Sequence, residues 1–210
     1  MVCHNEVFHP SEAAFYLPHC APEHSLRSKT LRDANPRKFI QELLEETASN
    51  ANSTCTHICY KLLVNYPQLD RGLLATMQHK PRVLILDRAD RLALFASIQI
   101  AKETGIWMSN IKPDSQKRIL FESDKYESVC QALEENFKRV EHAIKDHELP
   151  VLRIEYEQLM QVNTISAILR FFELPKMPLV TNTARLNTAN VLDRFINPGD
   201  VEHYLEKRNG

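Results

Sequence analysis

Val83-Leu84-Ile85-Leu86, an unbroken aliphatic run between Pro81-Arg82 and Asp87, restricts the fold more than any other stretch of this chain. A strand with one wet face alternates apolar and polar residues. A continuous branched run instead fits a strand buried on both faces, as in a parallel sheet covered by helices. Parallel neighbours need crossover connections, and the flanking sequence supplies helical patterns for them. Asn35-Pro36 opens a helix, cap followed by Pro, with Phe39, Leu43 and Leu44 as its apolar face. Residues 69–78 look helical, and Leu92, Phe95, Ile98 and Ala101 recur at helical spacing up to Thr104-Gly105. Val129, Leu133, Phe137, Val140 and Ile144 make 127–145 the best amphipathic helix. Residues 157–172 are largely helical, and Asn197-Pro198 starts the last helix. Runs 56–62 and 150–155 complete the strand set. The three runs are expected to be neighbouring parallel strands of one sheet in a single domain, 1–210, of the α/β class. Residues 1–36 and 109–123 carry no sustained period and read as irregular chain.

Composition narrows the function. The chain has 4 glycines in 210 residues, where average usage near 7% gives roughly fifteen. Neither G-x-x-x-x-G-K-[ST] nor G-x-G-x-x-G occurs, which excludes a standard P-loop NTPase and a standard dinucleotide fingerprint within these residues. A net charge of −1, from 26 basic and 27 acidic residues, does not suggest a nucleic-acid partner. No apolar run approaches the ~20 residues of a membrane span, and the N-terminal Met-Val-Cys-His-Asn-Glu shows no signal-peptide pattern. The five cysteines are scattered, which fits reduced thiols and a cytoplasmic location.

Few side-chain groupings point to chemistry. Arg88 stands at the carboxyl end of the strongest strand, where open α/β sheets bind ligands, and Ser97 lies along the helix that follows. A guanidinium fork suits a phosphate; equally, Arg88 could pair with Asp90 on the surface. Arg91 reads as a solvated helix residue. His4-x-Glu6-x-x-His9 has one residue too many for the zinc helix pattern, and Cys55-x-His57-x-Cys59 reads as strand packing, so no metal is expected. Lys61 ends a strand, and Arg185 lies in a Pro/Thr/Asn-rich loop. Either residue could bind an anion or simply meet solvent. Trp107 fits a cleft wall or a core aromatic at a helix end.

Taken in order, these pieces resemble a family. Leu-Asp-Arg-Ala-Asp-Arg-Leu-Ala-Leu-Phe-Ala-Ser-Ile-Gln-Ile-Ala (86–101), followed by Thr-Gly-Ile-Trp (104–107), is similar to the 3′-phosphate-binding segment of sulfotransferases. The likeness is best to the bacterial trehalose and nodulation-factor group. Asn-Glu-Val-Phe-His-Pro (5–10) resembles that group's Gly-Glu-x-Phe segment, and Tyr-Lys-Leu-Leu (60–63) its Phe-Lys-Leu strand end. Ile-Glu-Tyr-Glu-Gln-Leu (154–159) resembles its Val-x-Tyr-Glu-Asp-Leu. Residues 168–174, then Arg185-Leu-Asn187 and Phe195-Ile-Asn197, resemble its carboxyl-terminal segments.

The resemblance implies a three-layer parallel sheet flanked by helices, the P-loop-type sulfotransferase fold. It also implies transfer of a sulfuryl group from 3′-phosphoadenosine 5′-phosphosulfate to a hydroxyl or amine of a saccharide or lipid-linked acceptor. By resemblance, Glu6 is the catalytic base, Arg88 and Ser97 hold the donor's 3′-phosphate, and Lys61 and Arg185 lie near donor or acceptor. The family's Pro-Arg-Ser-Gly-Ser/Thr-Thr phosphate loop is expected about twenty-five residues before Glu6, whereas Met1 precedes Glu6 by five. The expectation is therefore an N-terminally truncated sulfotransferase of low activity. The alternative is a non-catalytic binding or scaffold protein on a degenerate nucleotide-binding α/β fold.

Overall fold

A computed structural model of the chain describes residues 2–3, 7–8, 29–50, 57–65, 67–107, 117–159, 161–177 and 190–209. It is a mixed α/β structure, mostly helical. The elements in order are β1 (Val2–Cys3), α1 (Pro36–Asn50), β2 (Ile58–Cys59), α2 (Leu69–Met77), β3 (Val83–Asp87), α3 (Arg91–Thr104), α4 (Ser123–Asp146), β4 (Val151–Glu155), α5 (Val162–Phe171) and α6 (Pro198–Asn209). A 3-10 turn, Tyr156–Gln158, follows β4, and a second, Leu192–Arg194, precedes α6.

The strands differ from the single expected sheet. β1 and β2 form a two-stranded parallel ladder, Val2 opposite Ile58 and Cys3 opposite Cys59, while β3 neighbours β4 in a second two-stranded sheet. The expected strand 56–62 shrinks to Ile58–Cys59 among the described residues. The chain leaves extended pairing where the Tyr60 hydroxyl turns to Thr76 on α2, donating to its Oγ1 at 2.8 Å. Nor is β3 buried on both faces: Ile85 is buried, but Leu86 is 45% exposed. In β4, Ile154 is buried between exposed Arg153 and Glu155. That alternation belongs to a sheet with one covered face.

The chain divides into two compact units, 1–83 with 132–151, and 84–131 with 152–210. The first has a core of Val7, Phe8, Phe39, Ile40, Leu43 and Ala75, drawn from α1, α2 and the Val7-Phe8 turn. Asn35 caps α1 as the sequence indicates, accepting from the Lys38 amide at 3.1 Å. Phe8 meets Phe39 edge to face at 6.0 Å. Behind them Arg32, 1% exposed, donates to the Val7 carbonyl at 3.3 Å. A buried arginine is tolerated when its N–H groups find acceptors.

The second unit is built around aromatic rings. Phe95 from α3, Phe121, Tyr126 from α4, Phe195 and Tyr204 from α6 meet at centroid separations of 5.4–6.4 Å, mostly edge to face. Such pairs add ~0.5–1.5 kcal/mol each beyond their buried area. Ile119 bridges Phe195 in parallel, its amide donating to the Arg194 carbonyl at 2.9 Å. The stretch 109–123, expected as polar loop, thus ends in two core side chains, Ile119 and Phe121. Gly105 closes α3 in the left-handed conformation, φ 71°, where a Cβ is unfavourable.

Candidate functional site

The turn from β3 into α3, in the second unit, gathers the charged residues that sequence reading singled out. Asp90 caps α3, its carboxylate accepting the Ala93 amide at 2.8 Å. Asp87 accepts the Arg88 amide at 2.7 Å and grips Arg91 through both oxygens, at 2.5 and 2.9 Å. Hydrogen bonds from Arg91 hold the Asp87 carboxyl below the usual carboxylate range, against a smaller opposing effect of burial. Arg91 also donates to the Arg88 carbonyl at 2.8 Å, so it is a clamp on the turn rather than a solvated helix residue.

With both aspartates engaged in this way, the Arg88 side chain runs elsewhere. Its Nη1 reaches Ser97 Oγ at 3.5 Å. Ser97 is the seventh residue of α3, about 9 Å along the axis from the first, a span that an arginine side chain covers. The guanidinium lies over the Tyr156 ring at 4.9 Å, a cation–π distance. Its Nε stands 3.5 Å from Glu157 Oε1. That contact is coulombic: Nε is closed off from water and makes no hydrogen bond among the described residues. The Nη1 edge, beside a serine hydroxyl, has the chemistry to take an oxyanion, while the Nε edge faces the Glu157 carboxylate. Tyr156 and Glu157 both come from the turn after β4, the segment 154–159 of the resemblance.

One participant was not visible in the sequence. Arg194, 3% exposed, extends Nη1 to Ser97 Oγ at 3.4 Å and to the Ala93 carbonyl at 3.2 Å. Ser97 Oγ in turn donates to Ala93 O at 2.8 Å. Nothing in the local sequence marks Arg194 among 26 basic residues. The only signal is its place directly before the Phe195-Ile-Asn197 segment.

Of the other expected site residues, Lys61 is the one described. Lys61 follows β2 in the first unit with its side chain exposed. Glu6 and Arg185 lie outside the described residues, as do His4, His9 and Cys55. Trp107 is 60% exposed, so it is not a core aromatic. No group of three or more His, Cys, Asp or Glu suited to a metal occurs among the described residues. No described helix is long and apolar enough to cross a membrane. Comparison of the chain with known protein families, curated proteins and solved structures gave no match.

Proposed function

We propose that this chain is a sulfotransferase that takes its sulfuryl group from 3′-phosphoadenosine 5′-phosphosulfate and delivers it to a hydroxyl or amine of a saccharide or lipid-linked acceptor. One observation carries the reading. The two residues that the sequence resemblance assigns to the donor's 3′-phosphate, Arg88 and Ser97, are nine positions apart, yet Nη1 and Oγ lie within 3.5 Å at the carboxyl end of β3. The Arg88 Nε edge faces the Glu157 carboxylate at 3.5 Å, which leaves the Nη1 side toward Ser97. On this reading the parent fold is the three-layer P-loop type.

The roles are those that the sequence resemblance implies. The acceptor oxygen or nitrogen forms the new bond to sulfur while the phosphosulfate S–O bond breaks, and adenosine 3′,5′-bisphosphate leaves. Arg88 and Ser97 fix the donor by its 3′-phosphate, which aligns the sulfuryl group without touching it. Glu6 takes the acceptor's proton.

Calorimetric titration of the full chain with adenosine 3′,5′-bisphosphate tests the binding half. Arg88→Ala should cost ~1.5–3 kcal/mol of affinity, the scale of a charged hydrogen bond. Absence of binding by the unmutated chain sinks the proposal. Transfer of labelled sulfate from the donor to a mixed glycan and glycolipid pool tests the reaction. Arg88-dependent binding with no transfer to any acceptor leaves a nucleotide-binding protein and removes the transferase activity.

A further inference from the structure

We infer that Arg194 is a positioning residue for the anion site: it holds the Ala93 carbonyl so that the Ser97 hydroxyl is released to donate to a bound phosphate. This rests on the reading of Arg88 and Ser97 as a phosphate site. A serine hydroxyl has one proton and two lone pairs. Here the proton goes to Ala93 O at 2.8 Å, while Arg88 and Arg194 approach Oγ from the donor side at 3.5 and 3.4 Å. In this arrangement Ser97 can offer nothing to an anion, because a phosphate oxygen needs a donor.

The count on Ala93 O resolves this. A carbonyl oxygen has two lone pairs. The helix pattern assigns the Ser97 amide to the Ala93 carbonyl, since the two residues stand four apart within α3. Arg194 Nη1 donates to it at 3.2 Å, and the Ser97 hydroxyl is a third donor. When the hydroxyl turns away, the amide and Arg194 still satisfy the carbonyl, so rotation strands no buried polar group. Without Arg194 the hydroxyl would be the remaining side-chain donor at that oxygen among the described residues, and turning it outward would give up a buried bond.

Arg194 is preset for this task. Its backbone is fixed on both sides, the amide donating to Val191 O at 3.1 Å and the carbonyl accepting from Ile119 at 2.9 Å. Its side chain is almost wholly enclosed. Removed from solvent, the guanidinium has little freedom to lose when the anion arrives.

The test is a double-mutant cycle on the full chain, read as the dissociation constant of adenosine 3′,5′-bisphosphate for the unmutated protein, Ser97→Ala, Arg194→Gln and the double variant. Ser97→Ala should weaken binding about tenfold, and Arg194→Gln should weaken it by a similar factor. The double variant should be no weaker than Ser97→Ala alone, because Arg194 acts through the hydroxyl. A loss on Arg194→Gln that is as large in the Ser97→Ala background overturns the inference and makes Arg194 a general structural or electrostatic element. A second measurement needs no Arg194 variant and stands if that variant fails to fold. The Arg194 guanidinium ¹⁵N signals should shift on adding the bisphosphate to the unmutated protein and stay still in Ser97→Ala. Signals that stay still in both proteins, while binding still needs Arg88, overturn the inference but leave the phosphate site. No binding by the unmutated protein, or undiminished binding by Arg88→Ala, overturns both.

Discussion

Asp87 holds Arg91 through both carboxylate oxygens, at 2.5 and 2.9 Å, and this pair governs what Arg88 can face. Were Arg91 absent, a carboxylate adjacent to Arg88 in sequence would lack its counter-charge at the mouth of a phosphate site. Arg91→Ala should therefore raise the Asp87 pKa, which the Arg91 hydrogen bonds now hold down, and weaken bisphosphate binding. Carbon-detected titration of the Asp87 carboxyl checks the first effect. The sign for stability follows from a depressed folded value. The contribution is complete above the unfolded pKa of ~3.9 and disappears as pH falls through the lower folded value. The pair is part-exposed, so its loss in Asp87→Asn should cost only ~0.5–1 kcal/mol at neutral pH.

Tyr60 gives the opposite limb of the pH profile. Its hydroxyl donates to Thr76 Oγ1 at 2.8 Å, and burial pushes its pKa up to about 12. A folded value above the unfolded one of ~10 means stability that is whole below pH ~10 and declines as pH rises toward the folded value. Tyr60→Phe should therefore flatten the loss of stability between pH ~10 and ~12 in denaturant titrations, while costing ~0.5–1.5 kcal/mol at pH 7 for the hydrogen bond. The neutral-pH cost belongs at the low end of that range, because Thr76 Oγ1 keeps its own bond to Gly72 O at 2.6 Å. An unchanged alkaline limb in the variant rejects Tyr60 as its source.

The helices were legible because their signals are local. Asn35-Pro36 marks the start of α1, Thr104-Gly105 the end of α3, and the 129–144 spacing lies within α4. The meeting of Arg88 and Ser97 was legible through the resemblance, which gives both to one phosphate; their placement alone, strand end against mid-helix, leaves them apart. Arg194 was not, since it arrives from 97 positions beyond Ser97 and depends on the Ile119–Phe195 bridge, a pairing with no sequence period. The aliphatic run 83–86 misled on burial. Periodicity reports which residues prefer burial, while the covered face depends on what packs there, and Leu86 remains 45% exposed. The strand 56–62 failed for a similar reason: β-branched and aromatic content says extended, but Tyr60 and Leu62 serve the core around α1 and α2 instead of a ladder.

Gly72 lies inside α2, where alanine would ordinarily gain ~1 kcal/mol. Here a Cβ would stand 3.0 Å from Leu62 Cδ2 and 3.2–3.3 Å from the Phe8 ring. The leucine methyl can turn aside. The Phe8 ring is held against Phe39 and is 3% exposed, so it has little room to move. Overpacking of this kind costs ~1–3 kcal/mol, more than the propensity gain. Gly72→Ala should lower stability by about 1 kcal/mol net, read from the urea midpoint. A stabilised Gly72→Ala would mean that the ring yields and the close approach of α2 to Phe8 does not require glycine.

Asn197, read from sequence as the cap of the last helix, turns its side chain to another segment. Its Oδ1 accepts the Phe121 amide at 2.8 Å, and its Nδ2 donates to the Phe121 carbonyl at 3.1 Å and to Asp200 at 2.6 Å. One side-chain amide thus joins the start of α6 to the segment that delivers Phe121, 5% exposed, into the aromatic core. Asn197→Ala leaves both Phe121 backbone groups without that partner, and each unmet buried group costs ~1–3 kcal/mol. Asn197→Asp separates the two functions. The carboxylate keeps an acceptor for the Phe121 amide and suits a helix N-terminus, but it cannot donate to the Phe121 carbonyl and it faces Asp200 with like charge. If capping alone mattered, Asp would match Asn, since the two cap equally well. If the bridge matters, Asn197→Asp should lose ~1–2 kcal/mol at pH 7 and recover part of it in acid, as protonation restores a donor and removes the repulsion. Thermal unfolding of the native chain and the Asp variant at pH 7 and near pH 4 decides between them. Equal melting of the two at pH 7 would reduce Asn197 to a cap.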